Sequence, residues 1–225
     1  MNSVLIDFEE RVKEVELYFK HLYLIFGQDA EMFLPNNKTK KRKKINEELK
    51  KVLKANCFLL LYNLSESSIR QALIVIFEEI SNKELKYNLV KNEIKKIWIE
   101  LKYKNFKDKG SEEILNILSI IADDIIDITF EDKGLGGNID GQKIRGIANE
   151  LGFSSRTHHS LKKGVTLHIV KTQRNKLAHG NISFAKCGRD YTLEELIKIK
   201  NQVIKYLRSI LKNIKAFIEE EEFVL

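Results

Sequence analysis

Residues that break helices are almost absent from this chain, and their absence limits the folds that it can adopt. Proline occurs once, at Pro35, and glycine is sparse outside residues 134–164. Because long stretches contain no breaker, we predict an all-α protein. No alternation of polar and apolar residues predicts a strand. With 225 residues, the chain is long enough to bury a sizeable core.

Apolar residues recur at three- and four-residue steps through most of the chain, which is typical of amphipathic helices. The segment Asn46–Ile80 is apolar on nearly every side, so we expect it to be a central, buried helix. The predicted helices are Val4–Met32, Asn46–Ile80, Leu85–Leu101, Ser111–Ile128, Asp140–Leu151 (with Asp140 as the cap), Gly164–His179 and Thr192–Glu222. The predicted loops are Lys102–Gly110, Gly134–Gly137, Gly152–Lys163 and Asn181–Asp190.

The glycine-rich connector raises the question of domain organisation. Residues 131–139 either separate two modules or form a long connection within one bundle. We favour one domain over residues 1–225, in which 131–164 is a connecting insert with a short helix. The connector lacks the spacing of a phosphate-binding loop.

The balance of charge favours a polyanionic partner such as nucleic acid, because the formal net charge is +7. The basic run Lys38–Lys44 is either a solvated loop or helix entrance, or a patch that contacts phosphate. The first ten residues do not resemble a secretory signal, and the longest apolar run is too short to cross a membrane. Together with two distant cysteines, Cys57 and Cys187, these features lead us to expect a cytoplasmic protein with reduced thiols.

Two further clusters invite a functional interpretation that we reject. Asp123, Asp124 and Asp127 fall in a predicted helix, with Asp123 and Asp127 opposite its isoleucine stripe, so a solvated face explains them better than a metal site. No cluster of ligands completes a metal set, and we expect neither a metal nor another cofactor. The adjacent His158 and His159 lie in a predicted loop and are expected to be exposed.

The candidate catalytic residues lie in the segment Arg174-Asn175-Lys176-Leu177-Ala178-His179-Gly180. Arg174 is a fixed cation suited to phosphate, and His179 can exchange a proton near neutral pH. Gly180 is expected to end the helix as its C′ residue. Residues five apart on a helix are separated by about 140°, so Arg174 and His179 do not project side by side.

Two other patterns accompany this segment. His168, Thr172, Asn175 and His179 share one helix face, so Asn175 is placed to orient His179. His168 either lines the same groove or is a packed helix residue, and we favour the packed residue. Glu66 lies within the buried central helix and should have a cationic or hydrogen-bonding partner, unless it reaches solvent.

The segment and its surroundings resemble the HEPN superfamily of helical bundles, specifically the stand-alone prokaryotic HEPN-like nucleases with an Arg-polar-x3-His motif. The resemblance is best over residues 165–222 and extends to Leu61-Tyr62-Asn63-Leu64-Ser65-Glu66-Ser67, which looks like the central helix of such proteins. It implies a bundle of long antiparallel helices with short helices in the connections, metal-independent endoribonuclease activity and a symmetric homodimer. Arg174 and His179 would then be catalytic, with Asn175 and Glu66 in supporting roles.

The resemblance also bears on partners. It suggests a toxin or phage-defence ribonuclease with RNA as substrate, and a cognate antitoxin or defence partner protein. Lys143, Arg145, His168 and Lys171 are our candidates for RNA binding. Some HEPN toxins carry a modified tyrosine two residues after the motif histidine, whereas this chain has Asn181, which puts that regulation in doubt.

Two alternatives to a nuclease remain open at this stage. One is a HEPN-like module that binds RNA or nucleotide without cleaving it, with Arg174 and His179 as phosphate contacts. The other is a helical scaffold in which both residues simply favour the negative end of the helix dipole.

Overall fold

The fold is an all-α bundle with one small hairpin. The computed structural model describes residues 1–27, 30–36, 39–102, 110–121, 124–130 and 138–225. Within these ranges the α-helices are α1 (Asn2–Gly27), α2 (Glu47–Asn82), α3 (Asn92–Lys102), α4 (Ser111–Ile121), α5 (Gly141–Leu151), α6 (Val165–Ala178), α7 (Phe184–Arg189) and α8 (Leu193–Glu219). Two strands, β1 (Glu31–Asn36) and β2 (Thr39–Lys44), and the short 3-10 turns Tyr87–Leu89 and His159–Gly164 complete the described elements.

The long helix α2 is the centre of the bundle. It contacts α1, α6, α7 and α8, and its buried side chains lie on several faces. Burial of apolar surface on all sides is the main force that holds the helices together, at about 25 cal/mol for each Å² removed from water. The prediction of a central buried helix is confirmed. Its start is set by Asn46, whose side chain accepts hydrogen bonds from the backbone N–H groups of Glu48 and Leu49.

Two helices in the second half of the chain, α5 and α8, begin at capping residues that the sequence predicts. The Asp140 side chain caps α5 and accepts a hydrogen bond from the Lys143 N–H. Thr192 and Glu195 form the predicted capping box at the start of α8. Both predictions are confirmed.

The region between α1 and α2 differs from the prediction. The first helix ends at Gly27 rather than Met32, and residues 31–36 pair with 39–44 as an antiparallel hairpin in which Glu31 lies opposite Lys44. The predicted loop or helix entrance is therefore wrong for residues 39–44, which form a strand, while Lys38 lies outside the described residues. Pro35 has no N–H to donate and cannot continue a helix, whereas it fits a strand in a two-stranded ribbon.

The fourth helix is shorter than predicted. It ends at Ile121, and residues 124–130 run extended, with the Ile126 N–H donating to the Leu85 carbonyl and the Ile128 N–H donating to the Ser81 hydroxyl. Asp124 and Asp127 therefore do not lie on a helix face, and Asp123 is outside the described residues. Contacts with the end of α2, which no local pattern encodes, hold this segment extended.

Two more segments differ in detail. The third predicted helix begins at Asn92 rather than Leu85, after the first 3-10 turn. The predicted loop Asn181–Asp190 contains α7, whose first turn is capped by the Ser183 hydroxyl accepting from the Lys186 N–H. The predicted loops at 102–110 and 134–137 fall largely or wholly outside the described residues.

Candidate functional site

The candidate site lies at the end of α6, the helix that carries the arginine–histidine segment. His179 is the C-cap residue, and Gly180 follows with a φ of 70°. The Gly180 N–H donates to the Leu177 carbonyl and the Asn181 N–H donates to the Lys176 carbonyl. This pair of hydrogen bonds is the Schellman arrangement, in which glycine accepts the left-handed conformation at least cost. The prediction that Gly180 is the C′ residue is confirmed.

Arg174 is held in place by two neighbours, neither of which carries a negative charge. Its guanidinium lies over the Tyr62 ring, with the Cζ atom 4.3 Å from the ring centroid. One of its nitrogens, Nη1, donates a 3.0 Å hydrogen bond to Asn175 Oδ1. Among the described residues, Arg174 forms no ion pair. Its guanidinium is therefore oriented by a ring and an amide, without a carboxylate in direct contact among the described residues.

Tyr62 links this arginine to the centre of the bundle. The side chain is buried on α2, and its hydroxyl accepts a 3.2 Å hydrogen bond from the Ile139 N–H. Burial raises the pKa of Tyr62, so the phenol is neutral near pH 7, and the Glu66 carboxylate one helical turn away adds to that rise. The half-buried Glu66 therefore lies in the same electrostatic environment as Arg174. The sequence alone did not predict Tyr62 as a contact of Arg174, and its one signal is that Tyr62 lies in the central-helix segment 61–67.

His179 differs from Arg174 in its surroundings. It is exposed, and its imidazole makes no hydrogen bond or ion pair with any part of the chain for which positions are described. The Asn175 side chain contacts Arg174 rather than His179, so it does not orient the imidazole as the shared helix face suggested. Within one copy of the chain, Arg174 faces α2 while His179 faces solvent.

The four candidate RNA-binding residues lie near a second centre, the carboxylate of Asp140. Its Oδ1 accepts a 2.9 Å hydrogen bond from the Lys143 N–H, which caps α5. Its Oδ2 accepts a hydrogen bond from Lys171 Nζ and lies 3.4 Å from His168 Nδ1. Arg145 donates to the Lys163 carbonyl at the adjacent turn. Residues from α5 and α6, far apart in sequence, therefore meet at one position.

Asp140 is almost wholly buried, yet its hydrogen-bond partners keep it ionised and paired with Lys171. Burial favours the protonated acid, but hydrogen bonds from Lys171, from the Lys143 N–H and from His168 outweigh it and hold the pKa of Asp140 below its usual value. The His168 ring itself is 67% exposed, so the interpretation of His168 as a packed helix residue is wrong. Sequence periodicity put it on the face of α6 but did not show that Asp140 approaches that face.

Other sequence candidates lie apart from these two centres. His158 and His159 are exposed, as predicted, with ring centroids 4.1 Å apart. Cys57 and Cys187 are buried free thiols. In the ranges that the structure covers, His, Cys, Asp and Glu side chains form no group of three or more that is suited to a metal ion. The helices described also include none long and apolar enough to cross a membrane.

Comparison with known proteins gives one finding that spans the chain. A family model described as HEPN_MAE_28990:/-like HEPN matches residues 2–223. No curated protein and no solved structure matches the chain.

Proposed function

Because the chain belongs to the HEPN_MAE_28990-like HEPN family, we propose that it is a metal-independent endoribonuclease that acts as a homodimer. HEPN domains generally are nucleases or RNA-binding modules. The match spans nearly the whole sequence, which supports treating residues 1–225 as one HEPN-like domain with 131–164 as an insert. The proposed biological role is that of a toxin or defence ribonuclease, controlled by an antitoxin or defence partner protein.

The observation that carries the proposal is an Arg174 guanidinium that forms no ion pair among the described residues, close in sequence to an exposed histidine. An arginine held by an aromatic ring and an amide, with no carboxylate partner in the described residues, is prepared to bind a phosphate. His179 is five residues further on, at a helix end that leaves its imidazole accessible to a ligand. These two side chains are the ones to which the family resemblance assigns catalysis.

The proposed reaction is an in-line transfer within RNA. The neutral imidazole of His179 accepts the proton of a ribose 2′-hydroxyl, whose oxygen forms a bond to the adjacent phosphorus. Arg174 stabilises the charge that develops on the phosphate oxygens. The bond from phosphorus to the 5′-oxygen breaks, and a protonated His179 from the second copy of the chain donates its proton to that oxygen. The products are a 2′,3′-cyclic phosphate and a 5′-hydroxyl, and DNA, which lacks the nucleophile, is not cleaved.

A homodimer supplies what one copy lacks. Since Arg174 faces α2 and His179 faces solvent, one copy offers the imidazole of His179 at the end of α6, whereas the reaction needs both a base and an acid there. A two-fold axis near the end of α6 brings two histidines and two arginines to one cleft. Lys143, Arg145, His168 and Lys171 are proposed to contact the RNA outside that cleft.

The test is cleavage of a structured RNA in the presence of EDTA by the wild-type protein and by His179→Ala. We expect the variant to lose about 100-fold or more in rate, which is the usual contribution of a general base. His159→Ala is the matched control, since it removes another exposed histidine and should leave the rate unchanged. Analysis of the product ends should show cyclic phosphates. RNA that binds but stays intact with the wild-type protein would contradict catalysis and favour the binding module.

A second pair of variants tests whether Tyr62 positions Arg174. Tyr62→Phe keeps the ring and loses only the hydroxyl, so we expect a rate close to that of the wild type. Tyr62→Leu removes the cation–π contact, which contributes about 1–2 kcal/mol when partly desolvated, so the rate should fall about tenfold. Equal rates for the two variants at unchanged thermal stability would show that the ring does not position the guanidinium.

A further inference from the structure

A cavity lies near the start of α6, at the opposite end of this helix from His179. It occupies about 260 Å³ between the start of α5 and the turn that precedes α6. The residues that line it include Arg145, Lys163 and His168 together with Asp140. Because Lys171 pairs with Asp140, the one acidic group in the lining is already neutralised. Arg145 and Lys163 therefore leave the cavity with a net positive charge.

The wall of this cavity is an unusual stretch of backbone. Lys162, Lys163 and Gly164 adopt left-handed conformations in succession, with φ values of 45°, 54° and 75°. Two lysines in a conformation that side chains disfavour indicate strain, which proteins tend to keep at functional positions. The Arg145 guanidinium donates to the Lys163 carbonyl and so fastens the turn to α5.

Two glycines, Gly141 and Gly164, pack closely against their neighbours in this wall. A Cβ atom on Gly141 would lie 2.5 Å from the Lys163 carbonyl oxygen, and one on Gly164 would lie 2.6 Å from Cζ of Tyr206. The Tyr206 hydroxyl is buried beneath this turn, near Arg145. Burial raises the pKa of Tyr206, and the nearby Arg145 opposes that rise. The cavity is therefore a formed feature with a rigid base.

The lining distinguishes this cavity from another of larger volume. A cavity of about 510 Å³ between α3 and α5 is lined by Glu93, Glu100 and Glu150 with a single lysine, Lys96. Phosphate is repelled by such a set of carboxylates. The cavity around Lys163 has a net positive charge, so it suits an anion better than the larger cavity does.

We propose that the cavity around Lys163 is a subsite for a backbone phosphate of the RNA strand. The inference rests on the proposed function, because it takes RNA as the ligand and extends its path beyond the cleft. His168 at the cavity and His179 at the helix end are eleven residues apart, or about 16 Å along α6. One strand can span that distance, so the subsite binds a phosphate a few nucleotides from the bond that is cleaved. Lys163 supplies the mobile cation, and Arg145 supplies the fixed one.

The chain offers a matched pair of variants for the test. Lys163→Asn and Lys162→Asn each remove one charge from neighbouring exposed residues in the same left-handed conformation, but only Lys163 lines the cavity. Asparagine adopts that conformation more readily than lysine, so both variants should fold normally, and circular dichroism with thermal unfolding verifies this. Binding of a fluorescein-labelled oligouridylate is measured by anisotropy over a series of NaCl concentrations, in a His179→Ala background that prevents cleavage.

We expect Lys163→Asn to weaken binding about fivefold to tenfold and to flatten the dependence of log Kd on log salt by about 0.7, as for the loss of one phosphate contact on a single strand. Lys162→Asn should change the affinity less than twofold, and Lys163→Arg should restore it. Equal effects of the two asparagine variants would overturn the inference. Inorganic phosphate is also tested as a competitor of the oligouridylate. The inference is overturned if Lys163→Asn changes the effect of phosphate but leaves the affinity for the oligouridylate unchanged, since the site would then bind a free anion.

The outcome is separable from that of the proposed function. With the His179 side chain intact, Lys163→Asn should raise KM for RNA and leave kcat unchanged. If the wild-type protein cleaves RNA and the asparagine variants bind alike, the nuclease stands and the subsite fails. If no RNA is cleaved but Lys163→Asn selectively weakens binding, the subsite stands and the nuclease fails.

Discussion

Replacement of Gly188 by alanine tests how closely α7 packs against α2. A Cβ atom at Gly188 would lie 1.8 Å from the carbonyl oxygen of Lys51 and 2.7 Å from its carbonyl carbon. Ordinary contact begins near 3.4 Å, so the oxygen is about 1.6 Å too close. The obstructing atoms belong to the backbone of a long buried helix and cannot rotate away as a side chain would. The two helices must therefore move apart.

The expected magnitude follows from two opposing effects. Overpacking of a rigid site costs about 1–3 kcal/mol and occasionally more, and this contact belongs at the upper end of that range. Alanine in place of a helical glycine contributes about 1 kcal/mol in the opposite direction. The net loss in the free energy of unfolding is therefore about 2 kcal/mol. In a chain of this size that loss lowers Tm by about 4–8 °C.

The assay is thermal and urea unfolding followed by circular dichroism, with Gly146→Ala as the control. Gly146 lies inside α5, and a Cβ atom there would meet nothing within 4 Å. The same substitution should therefore stabilise the protein at Gly146, by about 0.5–1 kcal/mol, and destabilise it at Gly188. A Gly188→Ala protein as stable as the wild type would refute the close docking of α7 on α2.

Three further predictions concern stability and reactivity. Gly164 and Gly180 both have a positive φ, but only at Gly164 would an added Cβ atom lie within 4 Å of a side chain. Calorimetry should therefore show Gly164→Ala to be less stable than Gly180→Ala by about 1–3 kcal/mol. Equal Tm values for the two variants would contradict this. Hydrogen bonds from Arg208 lower the pKa of Glu9, so this ion pair stabilises the fold above pH 4.5 and the contribution disappears as the pH falls below it. Arg208→Gln should therefore show a weaker loss of Tm between neutral and acid pH, and an unchanged profile would disprove the linkage. Burial raises the pKa of Cys57 to about 12, so a thiol reagent should label it at pH 8 only after unfolding, and rapid labelling of the native protein would contradict its burial.

Much of the fold could be predicted because its signals are local. Asn46, Asp140 and the Thr192–Glu195 capping box mark where helices begin, since their side chains satisfy backbone N–H groups within the next turn. Gly180 marks where α6 ends for a similar reason. Such signals act over a few residues and are visible in the sequence without knowledge of the partners.

The errors occurred where contacts between segments, rather than a local sequence pattern, decide the structure. Residues 31–36 and 39–44 show no alternation, and these two strands are defined by hydrogen bonds to each other. The helix at 184–189 is short and depends on Gly188 approaching α2. Residues 124–130 continue an apolar pattern that reads as helix, yet contacts with the end of α2 hold them extended. In each segment a contact with another segment outweighs local propensity.

The sequence by itself determined the helical class, the buried centre at α2 and the choice of Arg174 and His179 as candidates, because side-chain chemistry and helical spacing are properties of the chain. Only the tertiary structure decided what surrounds them. Tyr62 lies under Arg174, and Lys163 joins Arg145 at the cavity beside Asp140, although these residues are far apart in the chain. The physical reason is that a charge acquires its function from the groups that neutralise it or leave it unpaired, and packing brings those groups together.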